Sequence, residues 1–292
     1  MTKIGILGLG SIGSRHAANF KALGCEVVGF DPSDARTDFD KVFDVDALVV
    51  ASPTDLHFSH IMEGNGHRIP MLVEKPLVCK RWQLEQVPLE HVKLVGYNLR
   101  FHSCVQIVRD WLGQGIIGKP LWANFTCAQF NNKEVYLRDG VILNWSHEID
   151  LAIHLLGQAD VLTAAYSDKE DVADILLKHY NHGCHTTVHL DYLTKPERRG
   201  FVIVGADGSI DADLVARQAF LKDNDNKIVH TFFGRAFNSV KDDFDGDYLA
   251  EAEAFLSLIK GKPEPGHLIG CTAIQAADVV DICLEVKEFH GE

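Results

Sequence analysis

The segment "KIGILGLGSIGSRHAANFKALGCEVVGFD", residues 3–31, constrains this chain more than any other. It reads as strand, glycine turn, helix, strand. Ile4, Ile6 and Leu7 form the short apolar run that a parallel strand buried on both faces requires. Gly8, Gly10 and Gly13 follow with G-x-G-x-x-G spacing. Gly8 suits a tight turn, Gly10 lets a pyrophosphate approach the backbone, and Gly13 lets the helix pack closely on the strand. Ser11 and Ile12 complete the loop, whose amides open the helix and attract phosphate. Ala17, Phe20 and Leu23 mark the inner face of the helix, and Gly24 stops it. Asp31 ends the next strand eighteen residues after Gly13, where an acid accepts ribose hydroxyls and repels a 2′-phosphate. NAD is therefore expected over NADP.

Three more apolar strands follow, "DALVVASP" (46–53), "PMLVEKP" (70–76) and "VKLVGYN" (92–98), with a helix over "DLHFSHIMEG" between the first two. Strands alternating with helices predict an α/β domain with a doubly wound parallel sheet over residues 1–97. About fifteen residues separate Asp31 from the strand at Asp46. That is too short for a further helix and strand, so those elements should be stunted or missing. Beyond residue 98 a helix through Val105–Leu112 leads into segments that read as antiparallel strands: "PLWANFTCAQF", "VLTAAYS", "ADILLKHY", "CHTTVHLDYL", "GFVIVGADGSIDAD" and "KIVHTFF". Turn signals at Asn181-His182-Gly183 and Asp207-Gly208 separate some of them. Two helices close the chain, which makes residues 98–292 an α+β domain with a mostly antiparallel sheet.

A formal net charge of −13 over 292 residues argues against nucleic acid or an anionic membrane as the principal partner. A small-molecule substrate is expected instead. The seven cysteines are odd in number and contain no C-x-x-C, which suits reduced thiols in the cytoplasm. The N-terminus runs straight into a strand, and no apolar run reaches membrane-spanning length, so neither a signal peptide nor a membrane anchor is expected. "HYNHGCHTTVH" gathers four histidines and Cys184, but their spacing matches no familiar zinc pattern, and no metal is expected. His185 and His189 share one strand face, which suits a sheet surface or a subunit contact. Arg138 is expected in solvent or at an anionic substrate group, and Asp242, Asp243, Asp245 and Asp247 as a solvated or helix-capping stretch.

Two short segments carry the chemistry. In "EKP", Lys75 stands at the carboxyl end of a strand, the edge where open α/β sheets bind ligands. Pro76 restricts it to an extended conformation that aims its side chain away from the sheet. In "LNWSHEID", residues 143–150, His147 heads a helix. It reads either as an acid/base or as a structural helix-start residue.

"GLGSIGSRH", "LVVASPTDLH", "LVEKPL", "VGYNLRFH", "GQGIIGKP" and "SHEIDLAIHLLG" occur in that order, ahead of "YLAEAEAFLSLIKGKPEPG". Together they resemble the Gfo/Idh/MocA family of oxidoreductases, glucose–fructose oxidoreductase and inositol dehydrogenase among them, over essentially the whole chain. The resemblance implies a Rossmann domain followed by an α/β domain whose open sheet makes a homo-oligomer contact, a dimer or tetramer. It implies that Lys75 is the catalytic lysine and His147 the proton acceptor or donor. It carries Ser52, Pro53, Thr54, His57 and Glu74 over to the cofactor side, and Asn98 and Arg100 to the substrate cleft. Relatives usually carry an aspartate three or four residues before the histidine, where this chain has Asn144 or Leu143. Asn144 could orient the ring but would stabilise its protonated form less. Asp150, on the same helical face as His147, is a substitute partner.

The expected function is an NAD-dependent oxidoreductase acting on a secondary alcohol or ketone of a sugar, cyclitol or nucleotide-linked sugar. Two alternatives share the scaffold: a non-catalytic dinucleotide-binding regulator, and a reductase of a C=N or conjugated double bond.

Overall fold

Short runs of branched apolar residues build the first sheet. β1 (Lys3–Leu7), β2 (Glu26–Phe30), β3 (Ala47–Val50), β4 (Met71–Val73) and β5 (Val92–Val95) pair in parallel in the order β2-β1-β3-β4-β5. The computed structural model describes residues 1–131, 134–234, 240–262 and 269–289, without the side chains of 134–138 and 240–245. The side chains of Arg138, Asp242, Asp243 and Asp245 therefore lie outside the described residues. All four residues of β3 are buried, as a strand with neighbours on both edges and cover on both faces must be. β2 is an edge strand, and only a 3-10 turn at Asp40–Phe43 intervenes before β3. The shortened crossover read from the sequence is thus present, and the sheet ends at β2 for want of chain.

Helices α1 (Ser11–Ala22), α2 (Thr54–Gly66) and α3 (Arg81–Gln86) connect these strands. α1 buries Gly13, His16 and Phe20, while Ala17 and Leu23 pack half-buried against the same core. The chain divides into two compact units, Met1–Phe101 with Asn238–Val280, and His102–Phe237 with Asp281–Glu292. The sequence reading ran the second domain continuously from residue 98, whereas residues 238–280 group with the first unit and only 281–292 with the second. Hydrophobic burial explains the return. Ala252, Ala254, Phe255 and Leu256, near the C-terminal end of a late helix, join the core cluster of Ile4, Ile6, Phe20, Val49 and Leu72. Phe20 and Phe255 meet edge to face at 6.2 Å between centroids. Burying such a side chain stabilises by roughly 1.5–3 kcal/mol. Val95 N–H donates to the Cys271 carbonyl at 2.9 Å, and so covers part of the free edge of β5.

The second unit holds α4 (Ser103–Gly113), β6 (Pro120–Ala128), α5 (Glu134–Asn144), α6 (His147–Leu156), β7 (Ala159–Tyr166), β8 (Val172–His179), β9 (His185–Asp191), β10 (Arg198–Gly205), β11 (Ser209–Asp213), β12 (Gln218–Lys222) and β13 (Ile228–Phe233). Their sheet order is β13-β12-β11-β10-β6-β9-β8-β7. Every pair is antiparallel except β6 with β9, and β12 is a strand the sequence reading did not anticipate. Alternation sorts β6, with Ala123, Phe125 and Cys127 buried and Trp122 exposed. α6 lies over β6 and β9, and almost all of it is buried. Two helices close the chain, α7 (Val240–Ile259) and α8 (Ala273–Glu288). Among the described residues no helix is long and apolar enough to cross a membrane.

Candidate active site

Parallel pairing brings the carboxyl ends of all five strands of the first sheet to one edge, and the sheet's order reverses at β1. An open α/β sheet binds its ligands at such a point. Three backbone hydrogen bonds extend the ladder past the strand ends: Gly8 N–H to Phe30 O, Ala51 N–H to Leu7 O and Glu74 N–H to Val50 O, each 2.8 Å.

The glycines of the loop differ sharply in what a side chain would meet. Gly8 has φ +89°, and a Cβ there would lie 2.6 Å from the Ala51 carbonyl oxygen. At Gly13 a Cβ would fall 1.8 Å from the Gly8 carbonyl oxygen, so the helix and the turn are in direct backbone contact. Gly10, the N-cap of α1, has nothing within 4 Å of a Cβ. Local packing therefore needs Gly8 and Gly13 but not Gly10. Ser11 and Ile12 follow as the first residues of α1, whose leading amides lack intrahelical acceptors.

Asp31 sits past the end of β2 and grips the loop. Its Oδ2 accepts from Leu9 N–H at 2.9 Å, and its Oδ1 accepts from the Ser33 hydroxyl at 2.6 Å and Ser33 N–H at 3.0 Å. The Ser33 hydroxyl foremost, then the Leu9 and Ser33 amides, hold its carboxyl below the usual aspartate range. Three donors leave a carboxylate with acceptor capacity for a ribose hydroxyl.

Ser52, Pro53 and Thr54 form the turn from β3 into α2, with Pro53 as N-cap. His57 is 1% exposed, with Nδ1 2.8 Å from Pro76 O and Nε2 2.9 Å from Ser52 O. It thus braces the ends of β3 and β4 against each other. The peptide between Lys75 and Pro76 is cis, and Lys75 itself is half-buried. Glu74 packs against Gly96, where a Cβ would lie 2.8 Å from its Oε2. His16 Nε2 meets Glu74 Oε1 at 2.7 Å. Asn98 and Arg100 lie in a buried 3-10 turn. The Arg100 guanidinium donates to Gly270 O at 3.1 Å and Gln275 Oε1 at 2.8 Å, so it ties the returning segment to the first unit.

In the second unit His147 is the first residue of α6 and is 8% exposed, with Ser146 as N-cap. Asn144 ends α5 half-buried, and Asp150 is fully buried one turn into α6. Next to His147, Glu148 accepts a two-pronged ion pair from Arg199 on β10, Nε to Oε1 at 2.7 Å and Nη2 to Oε2 at 3.1 Å. That fork fixes the start of α6 to the sheet. The four-histidine stretch lies on β8, β9 and their turn. His189 bonds Asp174 at 2.7 Å and Asp191 at 3.0 Å across the open face.

A family model described as "D-isomer specific 2-hydroxyacid dehydrogenase, NAD binding domain" matches residues 1–57. The chain is 27% identical over 188 residues to D-apiose dehydrogenase of Rhizobium rhizogenes, covering 56% of this chain and 53% of that protein. It is 31% identical over 148 residues to inositol 2-dehydrogenase of Acidothermus cellulolyticus, covering 42% of this chain and 43% of that one. The aligned stretches thus span about half the length of these curated relatives. A solved structure of levoglucosan dehydrogenase in complex with NADH and levoglucosan superposes with TM-score 0.84 at 16% identity, covering 99% of this chain and 97% of that one. These likenesses agree with the resemblance to the Gfo/Idh/MocA family read from the sequence, and the superposition shows a shared fold.

Three groups escaped the sequence reading. His16 had no apparent role on α1, yet it holds Glu74. Arg199 lies in a charged "ERRG" run that looks like a solvated strand end, and nothing local shows it pairing with Glu148. Glu251 sits in the polar-looking repeat "AEAEAF" but is fully buried. Burial foremost, with Glu74 and then Asp247 beside it, drives its carboxyl far above the usual glutamate range. Helical spacing within "YLAEAEAFLSLI" could have marked Glu251 as inward-facing, since it lies four residues before Phe255.

Proposed function

We propose that this chain is an NAD-dependent oxidoreductase that acts on a secondary alcohol or ketone of a sugar, cyclitol or nucleotide-linked sugar. The observation that carries the reading is the contrast between Gly10, open on its Cα side, and the tightly packed Gly8 and Gly13 on the same sheet edge as Lys75. The names of the relatives, which are sugar and cyclitol dehydrogenases, support the substrate class.

In this proposal the amides of Gly10, Ser11, Ile12 and Gly13 hold the pyrophosphate, and Asp31 accepts the adenosine ribose hydroxyls. Ser52, Pro53 and Thr54 border the nicotinamide side, with His57 and Glu74 fixing the strand ends behind them. When bound, NAD supplies the hydride acceptor. Lys75 donates a hydrogen bond and positive charge to the substrate oxygen as it becomes an alkoxide. His147 takes the hydroxyl proton as general base. Asn144 orients the imidazole, and Asp150 supplies the negative charge that favours its protonated form. Asn98 faces substrate, while Arg100 acts by bracing the 3-10 turn that carries Asn98.

We also assign the chain to the cytoplasm, a reading supported by seven cysteines without a disulfide. We assign it to a homo-oligomer through the open face of the second sheet. Exposed Trp122, with partly buried Leu176, Val202 and Val204 on the same face, supports that assembly, which light scattering would test. The activity is tested by offering sugars, cyclitols and sugar nucleotides with NAD and following NADH absorbance. Reduction of NAD by at least one of them is expected. Failure of the whole panel with protein that binds NADH would favour the non-catalytic dinucleotide binder instead.

A further inference from the structure

Behind the strand end that carries Lys75, three buried side chains converge from distant parts of the chain. His16 comes from α1, Glu74 from the end of β4 and Glu251 from α7. His16 and Glu251 are fully buried, and Glu74 is 8% exposed. One potential ligand atom from each lies within 4.8 Å of the other two. Three such points all fall within about 2.8 Å of a common centre, at most about 0.5–0.8 Å outside metal–ligand distances of about 2.0–2.3 Å.

The hydrogen bonding is incomplete in a way that calls for an occupant. His16 Nε2 faces Glu74 Oε1 at 2.7 Å, which leaves the other ring nitrogen, Nδ1, buried with no partner. Neither oxygen of Glu251 has a hydrogen-bond partner, although the whole side chain is out of water. A buried carboxyl in that condition is strongly destabilising unless something compensates it. The Arg15 guanidinium lies over the Tyr248 ring at 4.8 Å from its centroid.

We propose that His16, Glu74 and Glu251 form a binding site for one divalent first-row metal ion, with Zn2+ the best match to one imidazole and two carboxylates. Two carboxylates balance the charge of a divalent ion. A neutral imidazole with its second nitrogen held by a carboxylate is the usual state of a ligating histidine. The ion would join α1, the end of β4 and α7, and so fasten the returning segment 238–280 to the sheet.

The test uses full-length protein stripped with a chelator and dialysed, then titrated calorimetrically with ZnCl2 and, separately, MnCl2. Wild-type protein is expected to bind one equivalent of at least one ion and to melt at a higher temperature with it. Glu251→Gln keeps the side chain's volume and removes its charge. It should bind at least about tenfold more weakly, the loss that even an outer partner of a metal ligand causes. Comparison with this variant subtracts binding by the other histidines and the seven cysteines elsewhere. Circular dichroism reports whether the variant folds, and His16→Gln replaces it if it does not. Equal uptake by wild type and a folded variant overturns the proposal. So does wild-type protein that binds neither ion and melts at the same temperature with and without them.

Discussion

Replacing Gly10 with alanine should separate the binding role of the glycine loop from its folding role. Gly10 has φ −64° and ψ −163°, values open to alanine, and its new Cβ would meet no atom within 4 Å. Two small effects oppose each other in stability. A less flexible unfolded chain contributes about 0.4–1 kcal/mol, and alanine is a poorer N-cap than glycine by a similar amount. The net change should stay within about 1 kcal/mol of zero. Binding should suffer more, because the methyl group occupies the approach that a pyrophosphate oxygen needs to reach the loop amides at about 2.9 Å. Losing one hydrogen bond to a charged group costs about 1.5–3 kcal/mol, or roughly 10- to 150-fold in affinity. Urea unfolding measures the first quantity and NADH fluorescence titration the second. Gly13→Ala is the contrast, since its Cβ would lie 1.8 Å from the Gly8 carbonyl and must displace backbone, costing about 1–3 kcal/mol or more. Wild-type NADH affinity in Gly10→Ala, or unfolding of that variant, would refute the assignment of the loop.

Other perturbations test the remaining links. Lys75→Ala should abolish turnover while NADH still binds, and wild-type-like rates would sink the mechanism. His147→Ala should remove most activity on an alcohol, and retained activity would favour the C=N or conjugated double-bond chemistry. Glu148→Ala or Arg199→Ala should each destabilise by about 3–5 kcal/mol, because either leaves a buried charge unpaired. A denaturant double-mutant cycle checks this, and additive losses would mean that the fork contributes little. His102 titrates at about 3 instead of 6.5, chiefly through burial and then through the Arg217 charge, and its Nδ1 accepts Cys104 N–H at the head of α4. Between those two values the unfolded chain binds a proton that the folded chain does not. Stability should therefore be intact above about pH 6.5 and fall by up to about 1.4 kcal/mol per unit as pH drops towards 3. His102→Gln should flatten that slope in urea unfolding across the window, and an unchanged slope would contradict it.

Much of the first unit could be read in advance because its signals are local. A buried parallel strand needs consecutive apolar residues, and Ile4–Leu7, Leu48–Val50 and Met71–Val73 supply them. The missing crossover followed from simple chain length between Asp31 and Asp46. The candidate site was legible to the same extent. Gly8, Gly10, Gly13, Asp31 and Lys75 are defined by their position against a strand end, which periodicity fixes. Arg100 was harder. The family resemblance pointed it to a cleft, but its hydrogen bonds to Gly270 and Gln275 span some 170 residues of sequence. Burial on most sides of α6 was hidden too, because charged and histidine positions imitate a solvated face until their partners are known.

The sequence alone determined the strand–loop–helix unit, the carboxyl edge of the first sheet and the identity of the residues placed there. Each depends on contacts within a few dozen residues, where backbone stereochemistry and hydrophobic periodicity act directly. Tertiary structure alone decided that residues 238–280 return to the first unit, that Arg199 grips Glu148, and that His16, Glu74 and Glu251 converge. Those outcomes depend on which buried charges and apolar faces meet across long stretches of chain. Such meetings are chosen by the free energy of the whole packed unit, and no local pattern carries that information.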